Sequence, residues 1–115
     1  MKIRILFTAL ALTLALPATA ELFKPITQGY EVSLSDVRLP RTEGGSIGYK
    51  PCDECDYRTD RVAVDARWEI NGKAMTLRKF RDRVATLGNL DEYAVTVKRH
   101  IESNVIIKVS FDIYD

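Results

Sequence analysis

The sequence RVAVDARWEI at residues 61–70 decides the fold class, because apolar and polar residues alternate along it with the period of a strand. The residues on one face are Val62, Val64, Ala66, Trp68 and Ile70, and those on the other are Arg61, Asp65, Arg67 and Glu69, with Ala63 as the exception. Such alternation is typical of a sheet with one buried and one solvated face. The stretch therefore predicts a strand whose apolar face contributes to the core.

A turn and a helix follow this strand. Asn71-Gly72 is a strong signal for a tight turn between two strands. Thr76 is a favourable N-cap, and Gly88 suits the left-handed position that ends a helix. The apolar residues between them recur at helical spacing and are Leu77, Phe80, Val84 and Leu87. The pattern predicts an amphipathic helix over residues 76–87 that turns this stripe towards the core.

Four further segments alternate with the period of a strand, and they cover residues 30–39, 46–50, 92–99 and 104–114. The first of them slips in phase, which predicts a β-bulge near Ser35–Asp36. The last two are joined by a short connection, which predicts a hairpin. The resulting order is β-β-β-α-β-β. We expect an α+β domain in which a small antiparallel sheet of about five strands carries one amphipathic helix on one face.

The first part of the chain, residues 1–20, is typical of a secretory signal peptide. Two basic residues open the chain, an apolar run covers residues 5–16, and Ala18-Thr19-Ala20 offers small residues for cleavage. The alternative is an uncleaved N-terminal anchor, which the shortness of the run disfavours. We expect cleavage before Glu21 and a single small domain over residues 21–115 with no transmembrane segment. The expected location is the bacterial periplasm or the extracellular space.

The overall charge restricts the class of partner. The chain has 17 Lys and Arg residues against 16 Asp and Glu residues. Removal of the signal takes Lys2 and Arg4 away and leaves 15 basic against 16 acidic residues, a net charge of −1. This balance argues against nucleic acid, or an anionic membrane, as a partner attracted over long range.

The two cysteines, Cys52 and Cys55, lie at C-x-x-C spacing in a predicted loop, and three interpretations stay open. Export favours a structural disulfide bond. A redox pair uses the same spacing, but the carboxylates within residues 53–56 would raise the pKa of the thiols and disfavour the reactive thiolate. A metal site would need ligands from those carboxylates or from His100, the single histidine.

The sequence predicts no catalytic residue and no metal or other cofactor, because it holds no G-x-S-x-G motif and no evident pairing of a nucleophile with a base. We expect a non-enzymatic envelope or secreted module that binds a protein or a cell-wall component through a disulfide-stiffened loop. The candidate contact residues are Tyr49, Pro51, Asp53, Glu54, Tyr57 and Arg58. The alternative is a periplasmic thiol–disulfide redox or metal-handling protein that uses Cys52 and Cys55.

The predicted helix carries basic residues on the side opposite its apolar stripe. They are Arg78, Lys79, Arg81 and Arg83. Such a face could contact an acidic partner or a phosphate-bearing glycan, and it is equally what an ordinary solvated helix presents.

Export and disulfide formation predict the mass of the native protein. The protein recovered from its own compartment, treated with an alkylating reagent and no reductant, should begin at Glu21 and carry no alkyl group. Its intact mass should be lighter than that of the dithiol form by the two thiol hydrogens. A doubly alkylated species would contradict the disulfide, and a species that retains Met1 would contradict the cleavage.

Overall fold

A computed structural model describes residues 26–114 of the chain. The strands are β1 (Thr27–Ser33), β2 (Ser46–Tyr49), β3 (Arg58–Ile70), β4 (Lys73–Met75), β5 (Ala94–His100) and β6 (Ile106–Phe111), the α-helix is α1 (Leu77–Ala85), and the 3-10 turns are Leu34–Asp36 and Leu90–Glu92. The α+β class is thus confirmed. The predicted signal peptide lies outside the described residues. Within residues 26–114, no helix is long and apolar enough to cross a membrane.

The sheet is mixed, with the strand order β1-β5-β6-β3-β2. The short strand β4 pairs with the C-terminal end of β3. The pairs β1–β5, β5–β6, β2–β3 and β3–β4 are antiparallel as predicted, but β3 and β6 are parallel. The prediction of a wholly antiparallel sheet is therefore wrong at this pair. A parallel pair needs a long crossover, and here the segment that contains α1 and β5 supplies it.

The sheet curls until the segment that follows β1 reaches β2. After β1 the chain makes the 3-10 turn Leu34–Asp36, and Arg38 then forms a bridge with Gly48 of β2. The Arg38 N–H donates to the Gly48 carbonyl at 2.7 Å, and the Gly48 N–H donates back at 3.0 Å. The predicted β-bulge is wrong: the phase slip is this turn, which lets one segment pair with β5 first and β2 afterwards.

The core lies inside the curled sheet and beneath α1. Phe80 is fully buried, with its ring centroid 5.1 Å from that of Trp68 and 5.5 Å from that of Phe111. The other buried apolar residues are Val32, Leu34, Ile47, Tyr49, Val62, Ile70, Leu77, Val95, Val97, Ile106 and Val109. Val84 and Leu87, the second half of the predicted helical stripe, are only partly buried against this core. The helix therefore packs mainly through its first turn.

The start of α1 is as predicted, and its end is not. Thr76 caps the helix, its hydroxyl accepting a hydrogen bond from the Lys79 N–H at 3.2 Å. The helix ends at Ala85 with Thr86 as its C-cap, before the predicted end at Leu87. Gly88 does not take the predicted left-handed conformation. The Thr86 hydroxyl, which donates to the Arg83 carbonyl at 2.7 Å, satisfies an end carbonyl instead.

The alternation along β3 predicts some burial correctly and fails at two places. Val62, Trp68 and Ile70 are buried, but Val64 is 73% exposed. The β3–β6 pairing is interrupted between Val62 and Arg67, so Val64 lies where β3 has no neighbour on that side. Glu69, predicted on the solvated face, is buried beside two cations: the Arg67 Nε at 2.9 Å and the Lys108 Nζ at 3.6 Å.

The two valines of β3 provide a matched test of this interruption. Val62→Ala should destabilise the fold by about 2 kcal/mol, because it removes buried methyl groups and leaves a cavity. Val64→Ala should change the free energy of unfolding by no more than about 0.5 kcal/mol, because the side chain is mostly exposed. Equilibrium unfolding in urea measures both. Equal losses would contradict the exposure of Val64.

Candidate functional site

The two cysteines lie at the tip of the hairpin formed by β2 and β3. These strands pair from Ser46↔Arg61 to Tyr49↔Arg58, and residues 50–57, here called the cysteine loop, connect them. Cys52 and Cys55 form a disulfide bond with their Cα atoms 5.0 Å apart. The Cys55 N–H also donates to the Cys52 carbonyl at 3.1 Å. The tip is thus a turn closed by a covalent bond and by a hydrogen bond.

A buried polar cluster holds the base of this loop. The Tyr49 hydroxyl donates to Oδ2 of Asp60 at 2.6 Å, and the Arg58 Nε donates to the same oxygen at 2.8 Å. Tyr49 is fully buried and Asp60 is 8% exposed. The two donors satisfy a carboxylate that would otherwise be costly to bury. We call these three residues the clamp, because they join the two strands immediately below the cysteine loop.

The clamp alters the acidity of its members. Burial, followed by the hydrogen bond to Asp60, raises the pKa of the Tyr49 hydroxyl well above its ordinary value. The hydrogen bond to Asp60 also raises the pKa of Arg58. Both shifts favour the state in which Tyr49 is neutral and Arg58 is charged, so the clamp is stable throughout the neutral range.

The structure divides the predicted contact residues into two groups. Tyr49 and Arg58 belong to the clamp, and Tyr49 in particular lies inside the core and below the surface. The others are in the cysteine loop: Asp53 and Glu54 are exposed, Pro51 is half-buried, and Tyr57 is 44% exposed. Asp56 is exposed as well, so the surface that the loop presents combines three carboxylates with one aromatic ring.

The sequence patterns assign no role to two members of the site. Asp60, the acceptor of the clamp, is the first of them. Arg38 places its guanidinium 4.4 Å from the centroid of the Tyr57 ring. It reaches the loop because its backbone bridges Gly48, a long-range pairing that no local pattern indicates. The stacked Arg38 covers one face of the Tyr57 ring and places a cation beside the cysteine loop.

A second buried polar cluster, around Arg99, lies next to the clamp. One guanidinium nitrogen, Nη2, donates to Oε1 of Gln28 at 3.0 Å and to the Tyr30 hydroxyl at 3.1 Å, and Nη1 donates to Oδ1 of Asn104. The Tyr30 ring lies 5.7 Å from that of Tyr49. Arg99 lies two residues after Val97 and four after Val95, both fully buried, so the alternation of the strand places it on the same face. This alternation is the sequence signal for its burial.

The geometry adds little support for the redox and metal-binding interpretations of Cys52 and Cys55. The disulfide is compatible with a structural bond and with the oxidised form of a redox pair. In residues 26–114 the α-helix begins at Leu77, so Cys52 does not lie at a helix N-terminus. His100 lies at the end of β5, its Nδ1 3.3 Å from the Ser103 hydroxyl. No group of three or more His, Cys, Asp and Glu residues is arranged to bind a metal ion in the part of the chain that the structure describes.

No family model, curated protein or solved structure matches the chain. The function is therefore inferred from the geometry of the site. What the cysteine loop offers is a rigid turn with hydrogen-bond acceptors at Asp53 and Glu54 and a fixed ring at Tyr57. These groups are suited to binding, because carboxylates accept hydrogen bonds and a ring presents an apolar face to a partner.

The clamp predicts how stability responds to alkaline pH. Because the pKa of Tyr49 is raised on folding, its contribution is complete below the unfolded pKa of about 10 and is lost as the pH rises further. Above that pH, the free energy of unfolding should fall by about 1.4 kcal/mol per pH unit, because the folded chain retains one proton that the unfolded chain has lost. The Tyr49→Phe variant should be less stable at neutral pH by about 1–3 kcal/mol, because Asp60 loses a donor.

Urea unfolding at a series of pH values between about 9 and 11.5 tests this, since the range brackets the ordinary tyrosine pKa. The Tyr49→Phe variant should show a flatter dependence over that range than the native chain. Tyr114→Phe is the control, because Tyr114 is exposed at 84%. Identical slopes for the native chain and Tyr49→Phe would contradict the raised pKa.

Proposed function

We propose that the protein is a small exported, non-enzymatic module that binds a protein or a cell-wall component through the cysteine loop. The observation that carries the proposal is the clamp beneath the disulfide. Tyr49, Arg58 and Asp60 fix the base of a loop whose tip is closed by the bond between Cys52 and Cys55. A loop held at both ends loses little conformational entropy on binding, which favours affinity.

The topology supports a role in binding. With the bridge at Arg38, the strands follow the spatial order β5-β1-β2-β3, which is the order of a Greek key. The fifth long strand, β6, lies between β3 and β5 and makes the sheet a five-stranded, partly open barrel. Barrels of this description include the OB-fold, which binds oligonucleotides and oligosaccharides. This is support by analogy of fold alone.

The chemistry of the loop favours a partner that donates hydrogen bonds. Asp53, Glu54 and Asp56 are exposed acceptors, and Tyr57 offers part of its ring. Amide, amine and hydroxyl groups of a protein or a cell-wall glycan complement such a surface. The acidic character of the loop also disfavours nucleic acid at this position, since phosphate would be repelled.

Export is part of the proposal. Residues 1–20 form the expected signal peptide, and residues 21–115 form the domain delivered to the periplasm or beyond the cell. Every cysteine in the structure is in the disulfide, and disulfide bonds persist mainly in oxidising compartments. The location and the loop thus support each other, because the stiffened tip depends on an environment in which the bond survives.

The redox alternative has one observation in its favour, which is that Cys52 is exposed. A thiol could reach it from solvent and exchange with the disulfide. Against this, the acidic neighbours Asp53, Glu54 and Asp56 oppose the thiolate that such chemistry needs. The structural role therefore remains the better explanation of the pair.

The proposed contact surface predicts a loss of binding in loop variants. The double variant Asp53→Ala/Glu54→Ala should weaken binding to the partner roughly tenfold or more, because contacts at the centre of an interface carry most of its energy. The matched control is Asp91→Ala/Glu92→Ala, since these residues are the same exposed pair of side chains in another turn. Binding to purified cell-wall sacculi, and to proteins crosslinked in an envelope extract and then purified, should be measured by titration.

The same experiment separates the two functions. Removal of the disulfide in Cys52→Ala/Cys55→Ala should cost roughly 2 kcal/mol of stability and weaken binding, because the tip becomes flexible. If the loop variants bind as the native chain does, the proposed surface is wrong. If the native protein oxidises a test dithiol, or after prior reduction of its own disulfide reduces a test disulfide, and Cys52→Ala/Cys55→Ala does neither, the redox alternative is correct.

A further inference from the structure

The end of the molecule around α1 carries an excess of positive charge. Six exposed cations lie on α1, at the start of β4 and in the turn after Pro40, and we call them the basic end: Arg41, Lys73, Arg78, Lys79, Arg81 and Arg83. Only two carboxylates line the same surface, Glu43 and Asp82. The local excess is therefore four positive charges, whereas the whole chain has a net charge of +1. The charge of this protein is segregated in space.

The cations of the basic end line two clefts, one on each side of α1. The first cleft has a volume of about 510 Å³, and its cations are Arg41, Arg78 and Arg81. The second has a volume of about 430 Å³ and is lined by Lys73, Lys79 and Arg83. The first turn of the helix separates the clefts, so a partner that covers α1 meets cations on both sides.

These cations are not neutralised within the described part of the chain. The ion pairs there are Arg58–Asp60, Arg67–Glu69 and Lys108–Glu69, and none includes the basic end. Two of its arginines hydrogen-bond to neutral groups: Arg81 to the Arg41 carbonyl at 3.2 Å, and Arg83 to the Thr86 hydroxyl at 3.1 Å. Hydrogen bonds to neutral oxygens orient a guanidinium without cancelling its charge, so the field of the cluster extends into solvent.

We propose that the basic end docks the protein on an anionic lipid bilayer by binding the phosphate groups of lipid headgroups. An array of separate cations on both sides of an exposed helix suits an array of separate phosphates. The absence of aromatic residues from the lining of both clefts disfavours single-stranded nucleic acid, which needs rings for base stacking. The apolar residues of the second cleft are Ile70, Ala74 and Met75, and Ile70 is buried, so the exposed cations are the main groups offered to a bilayer.

The near-zero net charge of the chain does not oppose this docking. At physiological ionic strength, charges farther than about 8 Å from a phosphate are largely screened, so local cations decide the interaction. The acidic cysteine loop and the turn that follows Arg41 lie at opposite ends of β2, a strand of 4 residues that spans about 13 Å. Strand β2 runs from Ser46, next to the turn that follows Arg41, to Tyr49, next to the cysteine loop. A docked molecule would hold the cysteine loop away from the surface, although the inference does not depend on the function proposed for that loop.

The test is sedimentation with vesicles. The probes are vesicles of phosphatidylcholine mixed with phosphatidylglycerol and vesicles of phosphatidylcholine alone, and the protein is the processed chain whose first residue the mass measurement establishes. The native chain should bind the anionic vesicles and not the neutral ones. Binding should be lost when salt is raised from about 0.1 M to about 1 M, because the screening length falls from about 10 Å to about 3 Å.

Charge reversal should locate the contact. Each cation near an anionic surface contributes roughly a fivefold gain in affinity, so Arg78→Glu/Arg81→Glu should weaken vesicle binding roughly thirtyfold or more. The control Lys50→Glu/Lys98→Glu makes the same change in net charge away from α1, in the cysteine loop and on β5, and should have a much smaller effect. The variant Arg78→Gln/Arg81→Gln removes charge without reversing it. Its affinity for anionic vesicles should lie between those of the native chain and the charge-reversed variant.

Several results would overturn the proposal. Equal binding to neutral and anionic vesicles would do so, as would equal losses for the basic-end variant and its control. Tighter binding to a single-stranded oligonucleotide than to the anionic vesicles would assign the surface to nucleic acid instead. Thermal unfolding of each variant checks that the fold is intact, which is expected because Arg78 and Arg81 are exposed and Lys50 and Lys98 are half-buried.

Discussion

The pair of hydrogen bonds between Arg38 and Gly48 is the constraint on which the rest of the structure depends. This bridge joins the segment after β1 to β2, so part of the outer edge of β2 is covered, and uncovered edges recruit other strands. With it, the sheet curls around a single core, and the Tyr30 ring meets the Tyr49 ring at 5.7 Å. The same bridge positions Arg38 over Tyr57. The curl of the sheet and the construction of the candidate site therefore depend on the same bridge.

Local patterns predicted what depends on neighbours in sequence. The order of the elements, the N-cap at Thr76 and the turn at Asn71-Gly72 are all local, and the turn has the positive φ angles of 54° and 76° that its sequence indicates. The parallel pairing of β3 with β6 joins segments separated by the whole helix and β5, and nothing in either segment specifies it. The exposure of Val64 follows from an interruption in that same pairing, so the local sequence does not indicate it either.

The sequence predicted that the cysteines lie in a loop, but it did not predict the burial of Tyr49. Alternation places Tyr49 on the face of Ile47, and a residue on that face is buried once the barrel closes. The cysteine loop was correctly placed between two strands, but the sequence could not show that Asp60 and Arg58 would converge on the Tyr49 hydroxyl. Partners of this kind are set by the register Tyr49↔Arg58, which a one-residue slip would destroy.

The clamp and the disulfide have different physical roles, and the loop requires both. A four-residue ring restricts the unfolded chain only slightly, so the bond contributes roughly 2 kcal/mol and acts on the tip alone. The clamp acts below the tip, where its carboxylate is buried and its donors come from both strands. Loss of a donor leaves a buried charge short of a partner, which is a larger penalty than the loss of an exposed contact. The orientation of Asp53 and Glu54 therefore depends on Tyr49, a fully buried residue that no partner can touch.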